Sequence, residues 1–268
     1  MEQGRLLPLK DSRDVLLVGG KAKALGQLLQ DGFRVPDGYV VTTEVKVIDG
    51  ETEVEILDKF DRLMSKYVAV RSSAVAEDGK KDAWAGQLDT FLNVKRVDLV
   101  EKIRLCQESA NSERAKSYAH QKGLKTDDVA VIVQEMVQSD VSGIAFSTNP
   151  ITKNGEQVVI EAGFGLNEPI VSGEITPDTY VISKASGEII QKHIADQTKK
   201  LARGDNGNNS WQTVENGKDQ KLSDSQIKEL LEVVKKLEKF FEFPVDVEWT
   251  IANNELFILQ SRPITTLG

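Results

Sequence analysis

Two segments of the chain repeat apolar residues at the spacing of an amphipathic helix. The first runs from Gly20 to about Asp31, and the second follows Ser223, which can form a capping box with Gln226. Residues that recur every three or four positions share one helix face, so each segment predicts a helix packed on a core. A further helical region is predicted from about residue 98 to 122. The two apolar stripes comprise Ala22, Leu25, Leu28 and Leu29, and Ile227, Leu230, Leu231, Val234, Leu237 and Phe241.

Short apolar runs predict strands, and most of them lie in the second half of the chain. They occur at residues 39–42, 68–71, 129–137, 143–147 and 157–162. Residues 179–195 predict a hairpin around Ser186-Gly187, and residues 245–262 predict a second hairpin at the end of the chain. Between these hairpins, residues 203–218 are rich in glycine and asparagine, which predicts a loop.

The order of these elements favours an α+β fold over a doubly wound parallel sheet. Strands and helices do not alternate regularly, as they do in a classical nucleotide-binding fold. The first half mixes both element types, and the second half is richer in strands. We therefore expect a single domain over residues 1–268 with two lobes, the N-lobe at about 1–125 and the C-lobe at about 126–268.

Composition narrows the functional classes. The formal net charge is −8, whereas proteins that bind nucleic acid present basic surfaces, so we expect no nucleic-acid partner. Cys106 is the only cysteine, which leaves no internal disulfide and fits a reducing, cytoplasmic location. No apolar run approaches the roughly 18 residues of a membrane-spanning helix, so we expect no membrane association.

Two segments of the first half could bind phosphate. Gly19-Gly20-Lys21 stands at the start of a predicted helix, where free N–H groups and the helix dipole favour anions. It lacks the Walker A spacing, and by itself a solvated lysine is the simpler interpretation. Arg71 follows an apolar strand and precedes Ser72-Ser73, so it could hold phosphate through two hydrogen bonds. It could equally pair with Glu77 or Asp78 on the surface.

Other candidates in the chain are weaker. Gly86 precedes a short strand and would let the backbone approach a ligand, although an ordinary turn explains it as well. Gln134 lies in a buried apolar run, and backbone groups of such a strand often bind adenine. Met136 in the same run suits core packing. His120 and His193 stand apart from carboxylate-rich and glycine-rich segments, so we expect neither to be catalytic.

The terminal hairpin offers the strongest local site. Asp246 and Glu248 project from one face of an otherwise apolar strand, and Gln260 and Arg262 return on its partner. Carboxylate and amide oxygens suit Mg²⁺, which keeps waters and phosphate oxygens in its coordination shell. An arginine beside them could hold phosphate. A polar face at a sheet edge would give the same pattern, so both interpretations stand.

A shared metal site requires Glu248 and Gln260 to lie on the same face of the hairpin. Side chains alternate between faces, so a slip of one residue separates them. A two-residue turn, the simplest choice for this sequence, would put them on opposite faces. We therefore predict a three-residue loop, Asn253 to Glu255, or a bulge of equal effect, with Asn253 or Asn254 near the left-handed region. The loop would pair Trp249 with Leu259 and Ile251 with Phe257.

Together these segments resemble the N-terminal ATP-binding domain shared by phosphoenolpyruvate synthase, pyruvate phosphate dikinase and rifampin phosphotransferase. The motifs fall in the family's order and span nearly the whole chain, so the set is highly specific. They are Gly19-Gly20-Lys21-Ala22, Val35-Pro36-Asp37-Gly38-Tyr39, Val70-Arg71-Ser72-Ser73-Ala74, Ala85-Gly86-Gln87, Val133-Gln134-Glu135-Met136-Val137, Ser142-Gly143-Ile144-Ala145-Phe146, Gly163-Phe164-Gly165-Leu166-Asn167-Glu168, Val171-Ser172-Gly173 and Gln260-Ser261-Arg262-Pro263-Ile264-Thr265.

The resemblance implies an ATP-grasp fold that holds ATP between its two lobes, with Mg²⁺ as the second cofactor. It also implies a role for each candidate residue. Lys21 and Arg71 would contact phosphates, Gly86 and Thr90 would line the phosphate and ribose region, Gln134 would face adenine, Glu248 and Gln260 would hold Mg²⁺, and Asp246 and Arg262 would act beside them in catalysis.

The resemblance further implies a reaction that this chain shares with a partner. Enzymes of the family cleave ATP to AMP and pass the β-phosphoryl group to a histidine on a swivelling domain, which then phosphorylates a small-molecule acceptor. The 268 residues contain neither a phosphohistidine motif nor a pyruvate-binding barrel, so we expect that histidine in trans. Pyruvate, rifampin and phenol all stay open as the final acceptor.

Two other functions are compatible with the same residues. One is a regulatory module that binds ATP without transferring phosphate. The other is carboxylate–amine ligation through an acyl phosphate, which yields ADP instead of AMP. The chain also departs from the family in two places: the stretch between Thr43 and Val68 is short, and Asn167 stands where a glycine is common.

Overall fold

A computed structural model describes residues 4–75, 89–109 and 129–267. The chain divides into two compact units, Met1–Met136 and Val137–Gly268. The division falls later than the boundary expected near residue 125, because the strand at residues 129–135 pairs within the first unit. Gly86, Glu77, Asp78 and His120 lie outside the described residues.

The first unit is built on a five-stranded antiparallel sheet in the order β1-β2-β5-β3-β4. Two short 3-10 turns, Leu9–Asp11 and Arg96–Asp98, join its elements. The strands are β1 Leu6–Pro8, β2 Gly38–Val41, β3 Val68–Ala74, β4 Thr90–Val94 and β5 Val129–Glu135, and the helices are α1 Val15–Gln30, α2 Gly50–Asp61 and α3 Leu99–Ser109.

The two faces of this sheet carry different residues. Val68 and Val70 of β3 point into a core closed by Ile56 of α2 and Ile103 of α3. Side chains alternate along a strand, so Arg71 lies on the opposite face. Helix α1 packs against β3 and β5. The sheet therefore separates an apolar core from a face that carries charge.

The second unit contains a six-stranded antiparallel sheet in the order β13-β12-β6-β7-β8-β9 and a separate hairpin, β10–β11. A one-turn helix, α4, follows β7, and a long helix, α5, precedes β12. The strands are β6 Val141–Phe146, β7 Gln157–Phe164, β8 Asp178–Ser183, β9 Ile189–His193, β10 Lys199–Arg203, β11 Asn209–Thr213, β12 Val245–Ala252 and β13 Glu255–Pro263; the helices are α4 Glu168–Val171 and α5 Asp224–Phe241, with a 3-10 turn at Thr265–Leu267.

One face of this sheet is covered by α5. Trp249 and Val247 are fully buried there, and Ser147 at the end of β6 donates a hydrogen bond to Glu238 of α5. The opposite face is named the polar face below. It consists of Ile144 and Phe146 of β6, Glu161 and Gly163 of β7, Asp246 and Glu248 of β12, and Gln260 and Arg262 of β13.

Most predicted elements are confirmed, including the α+β class. The capping box of α5 is present, with Ser223 and Gln226 each bonded to the other's backbone. The prediction of a loop over all of residues 203–218 is wrong at residues 209–213, because β11 there pairs with β10. Only residues 204–208 form the turn, where Gly207 has a φ of 84°. Neither strand alternates apolar and polar residues, so the sequence pattern did not reveal the hairpin.

No helix within residues 4–75, 89–109 and 129–267 is both long and apolar enough to cross a membrane.

A fully buried ion pair organises the loops of the second unit. Lys221 Nζ lies 3.0 Å from Asp178 Oδ1, and both side chains are 0% exposed. The ammonium also donates to the carbonyl oxygens of Ala195 and Gly217. Asp178 accepts from Tyr180 Oη and from the amides of Ala195 and Lys221. This network therefore anchors β8 to the segments that precede β10 and α5.

Removing one partner of this ion pair should destabilise the protein strongly. We expect Lys221→Met to lower the free energy of unfolding by about 3–5 kcal/mol, because it leaves the Asp178 charge buried and unpaired. Lys218→Met, which breaks an exposed pair with Asp196, should change it little. Urea denaturation of both variants gives the comparison, and equal unfolding midpoints would contradict the role assigned to Lys221.

Candidate functional site

Helix α1 is broken at Gly19, close to its N-terminus. Gly19 has φ 75° and ψ 169°, so helical backbone resumes only at Gly20. A Cβ at Gly19 would collide with the backbone and side chain of Ser73. The break therefore lets the helix approach the end of β3 closely, and it places Lys21 in the first turn of the resumed helix, as the sequence predicted.

Lys21 is held against the end of β3. Its Nζ donates to the carbonyl oxygen of Ser72 at 3.1 Å, and the side chain is largely buried. The hydroxyl of Ser73 accepts from the amide of Ala22 at 3.1 Å. Ser73 thus caps the resumed part of α1. The interpretation of Lys21 as a solvated surface residue is wrong.

Arg71 and Gln134 lie together on the same face. Arg71 Nη1 donates to Gln134 Oε1 at 3.3 Å, and Gln134 Nε2 donates to the carbonyl oxygen of Pro36 at 3.0 Å. Arg71 is 8% exposed and Gln134 is 2% exposed. Thr90, which is exposed, pairs directly with Arg71 in the sheet. The first unit therefore brings together Lys21, Arg71, Thr90 and Gln134, the described members of the predicted nucleotide set.

The terminal hairpin has the register that a shared site requires. Glu248 pairs with Gln260 and Asp246 pairs with Arg262. The loop has two residues, however, since Ala252 pairs with Glu255, and both Asn253 and Asn254 adopt positive φ. The three-residue loop is therefore wrong, and the predicted alternative of a bulge is confirmed.

The bulge lies at Leu259, and it changes which pairs face the core. Trp249 pairs with Ile258, and Ile251 pairs with Leu256, so the partners predicted for both residues are wrong. Ile258 and Gln260 would share a face in a regular strand. With Leu259 inserted between them, Ile258 packs in the core and Gln260 lies on the polar face.

Asp246 and Arg262 form an ion pair across the hairpin. Arg262 Nε and Nη2 both approach Asp246 Oδ2, at 2.9 and 2.8 Å. The other carboxylate oxygen, Oδ1, is buried and has no hydrogen-bond partner among the residues that the structure describes. Burial raises the pKa of Asp246, Arg262 lowers it and Glu248 raises it, and the net shift is upward. Arg262 is thus oriented by Asp246 beside the pair Glu248–Gln260.

The residues of this hairpin fit a Mg²⁺ ion. Directly opposed side chains on a sheet have Cβ atoms about 4.5–5.5 Å apart, close enough for Glu248 and Gln260 to share one cation. A carboxylate and an amide oxygen are hard ligands, and the remaining positions of Mg²⁺ go to water and phosphate. Among the described residues, no group of three or more His, Cys, Asp or Glu side chains is arranged to hold a metal.

Glu161 is a member of the polar face that the sequence analysis missed. Gln260, Glu248, Ile144 and Glu161 lie in one row across β13, β12, β6 and β7. Burial raises the pKa of Glu161, and the charge of Asp246 raises it further. The signal was a lone carboxylate in the apolar run 157–162. Its link to β12 depends on strand order, which the sequence does not state.

His193 is exposed on the edge strand β9. It stands at the far end of the row that holds Glu248, because Glu161 pairs with Thr179 and Thr179 pairs with His193. Three strands, β6, β7 and β8, separate it from Glu248.

Replacing Gly19 should disturb the first unit more than replacing another glycine with a similar φ. We expect Gly19→Ala to cost about 3 kcal/mol or more, because strain at positive φ adds to a collision with Ser73. Gly32 has φ 82° and open space around it, so Gly32→Ala should cost only about 1–2 kcal/mol. Chemical denaturation measures both, and equal costs would show that the contact with Ser73 does not constrain this position.

Replacing Glu161 should change how stability depends on pH. Because its pKa is raised on folding, the wild-type protein loses stability as the pH rises from the ordinary value of 4.5 through the raised pKa. Glu161→Gln should therefore melt at a higher temperature than wild type at neutral pH, and the gain should vanish in acid. Glu156→Gln, at an exposed position in the same unit, is the control. A gain from Glu161→Gln that does not vary with pH would contradict this assignment.

Known proteins are similar in sequence to most of this chain. Residues 46–268 match the family described as pyruvate phosphate dikinase, AMP/ATP-binding domain. A protein of Methanocaldococcus jannaschii named probable phosphoenolpyruvate synthase is 32% identical to this chain. The aligned region covers 96% of this chain and 26% of that protein. The rifampicin phosphotransferase of Bacillus subtilis is 36% identical to this chain, and the aligned region covers 94% of this chain and 34% of that protein. The chain therefore spans about a quarter to a third of the length of these relatives.

Solved structures give a weaker likeness. A D-alanine–D-alanine ligase from Helicobacter pylori superposes with a TM-score of 0.41 and 12% identity, over 91% of this chain and 54% of the ligase. At this score the likeness carries no argument, so the assignment depends on the family match. That match covers most of the sequence and confirms the predicted resemblance: this chain, an α+β protein, belongs to the pyruvate phosphate dikinase AMP/ATP-binding domain family.

Proposed function

We propose that this chain is the ATP-binding phosphotransferase domain of a phosphoenolpyruvate synthase-like dikinase. In this proposal it cleaves ATP to AMP and passes the β-phosphoryl group to a histidine on a separate domain or subunit. The observation that carries the proposal is the bulge at Leu259, which sets Glu248 opposite Gln260 on the polar face.

The bulge supports a functional role because it brings two polar side chains onto one face of the hairpin. An inserted residue interrupts the ladder of hydrogen bonds between two strands, and bulges recur beside active sites, where they redirect side chains. Here the insertion lets Trp249 and Ile258 stay in the core while Glu248 and Gln260 share the polar face. A regular hairpin with the same turn would put Gln260 on the core face, opposite Val247, and separate it from Glu248.

Each unit carries cations that suit phosphate. In the first unit, Lys21 Nζ and the guanidinium of Arg71 are held in fixed positions by Ser72 and Gln134. In the second, Asp246 orients Arg262. Phosphoryl transfer depends mainly on positioning and on charge stabilisation, and cations of this kind would offset phosphate charge. A Mg²⁺ ion held by Glu248 and Gln260 would neutralise further phosphate charge.

The proposed transfer balances with histidine and water as acceptors. An imidazole nitrogen bonds to the β-phosphorus, and the bond from that phosphorus to the oxygen shared with the α-phosphate breaks, so AMP leaves. The γ-phosphoryl group passes to water and leaves as phosphate, while the β-phosphoryl group stays on the histidine. Exclusion of other water would limit wasteful hydrolysis of ATP.

MgATP should stabilise the chain, and Glu248 should be needed for that effect. A ligand that binds only the folded state stabilises by about 2.7 kcal/mol at one hundred times its Kd, so saturating MgATP should raise the melting temperature by several degrees. Glu248→Ala should reduce the rise, and so should EDTA. Glu229→Ala, on the exposed side of α5, should respond as wild type. No rise in wild-type protein with millimolar MgATP would contradict nucleotide binding.

The product of the reaction separates the proposed transfer from other functions of the fold. With MgATP and an added phosphohistidine domain from a relative, we expect AMP and a phosphorylated histidine on that domain. A domain with this histidine changed to alanine should give neither product. The chain alone should show no stable phosphorylation of His120 or His193 by mass spectrometry. ADP as the product would favour ligation through an acyl phosphate, and binding without turnover would favour a regulatory module.

A further inference from the structure

Asn167 buries both polar atoms of its side chain without a hydrogen-bond partner. The residue is 8% exposed, and within the described part of the chain neither Oδ1 nor Nδ2 is bonded. Buried amides in folded proteins are nearly always paired, so an unpaired one needs an explanation. Asn149 in the same unit shows the usual arrangement. It is 6% exposed, its Nδ2 donates to Gln157, and its Oδ1 accepts from the amides of Ile151 and Thr152.

The backbone around Asn167 is tightly held. Leu166 donates its amide to the carbonyl oxygen of Leu201, and Gly165 donates to that of Asp140. The carbonyl oxygen of Gly165 accepts from Ser142 Oγ at 2.6 Å. Gly165 itself has φ 88°, and a Cβ there would collide with Leu201. The backbone that leads to Asn167 is therefore fixed in place.

This loop lies over the polar face, beside the row that contains Glu161 and Glu248. Ile170, in the helical turn that Asn167 begins, packs over Gly163, where a Cβ would lie 2.9 Å from Ile170 Cδ1. Gly163 stands two residues from Glu161 on the same face of β7. Successive residues rise about 3.3 Å along a strand, so the covered position is roughly 7 Å from Glu161.

We propose that Asn167 binds the terminal phosphate of the nucleotide. Its Nδ2 donates to a phosphoryl oxygen, and its Oδ1 accepts from a water that hydrates the same group. This inference rests on the proposed function. A phosphate with its water satisfies both unpaired atoms, whereas a cation would pair with Oδ1 and repel the N–H groups.

The test compares stability and binding in matched variants, because the two should move independently. If Asn167 is unpaired in the free protein, Asn167→Ala should leave the melting temperature of the free protein unchanged or raise it. The same variant should bind MgATP about tenfold more weakly by calorimetry, as expected for the loss of a hydrogen bond to a charged group. Its affinity for AMP, which lacks the terminal phosphate, should equal that of wild type.

Two further variants complete the design. Asn167→Asp keeps the shape but replaces the donor with an anion, so it should weaken MgATP binding at least as much as alanine does. Asn149→Ala should lower the melting temperature and leave the affinity for MgATP unchanged.

Two results would overturn the proposal. One is an Asn167→Ala protein that binds MgATP as tightly as wild type, and the other is one that loses as much stability as Asn149→Ala. Wild-type protein that binds no MgATP would overturn the proposed function together with this inference.

Discussion

The register of the β12–β13 hairpin is the constraint on which the chemistry of the second unit depends. Its turn at Asn253-Asn254 has two residues, which fixes the pairing that starts from it. The core requires Trp249 and Ile258 on one face, and a metal site requires Glu248 and Gln260 on the other. A regular two-stranded ladder cannot meet both demands with this sequence. The extra residue at Leu259 reverses the alternation of β13 between the two pairs, so both demands are met.

The first unit solves a related problem with a glycine in place of an inserted residue. Lys21 and Arg71 must lie close together, although one is on a helix and the other on a strand. An uninterrupted α1 would run past the end of β3 without docking on it. The conformation of Gly19 turns the helix axis, lets the backbone contact Ser73 and gives the resumed helix a hydroxyl cap. In each unit, a single local irregularity positions charged side chains around an otherwise regular element.

The sequence predicted most of the elements, because their cores leave clear patterns. The apolar stripe of α5 and the runs of β3 and β5 correspond to buried positions. The hairpin at residues 199–213 was missed, since its strands pack few apolar side chains and offer no alternation. The sequence predicted that Glu248 and Gln260 share a face, because a shared metal site requires it. It did not determine whether a longer loop or a bulge produces that register. A loop and a bulge give the same parity, and only packing around Trp249 decides between them.

Parts of the candidate site were beyond prediction because they depend on contacts between distant segments. Glu161 joins the row of Glu248 only because β6 lies between their strands. Ser73 caps a helix that begins some fifty residues earlier in the chain. The pair of Arg71 with Gln134 likewise needs β3 and β5 to be neighbours. The sequence shows which residues have side chains that could bind a ligand, and the order of strands in the sheet determines which of those residues lie together.

The buried pair of Asp178 and Lys221 has a consequence for the lifetime of the folded state. The segment between the two residues contains β9, β10 and β11, so the pair closes a loop between positions 43 residues apart. Contacts that require such long loops are expected to form late, after the main barrier to folding. An interaction absent from the transition state slows unfolding without hastening folding. The pair is therefore expected to slow unfolding, so that the second unit stays folded for longer once it has assembled.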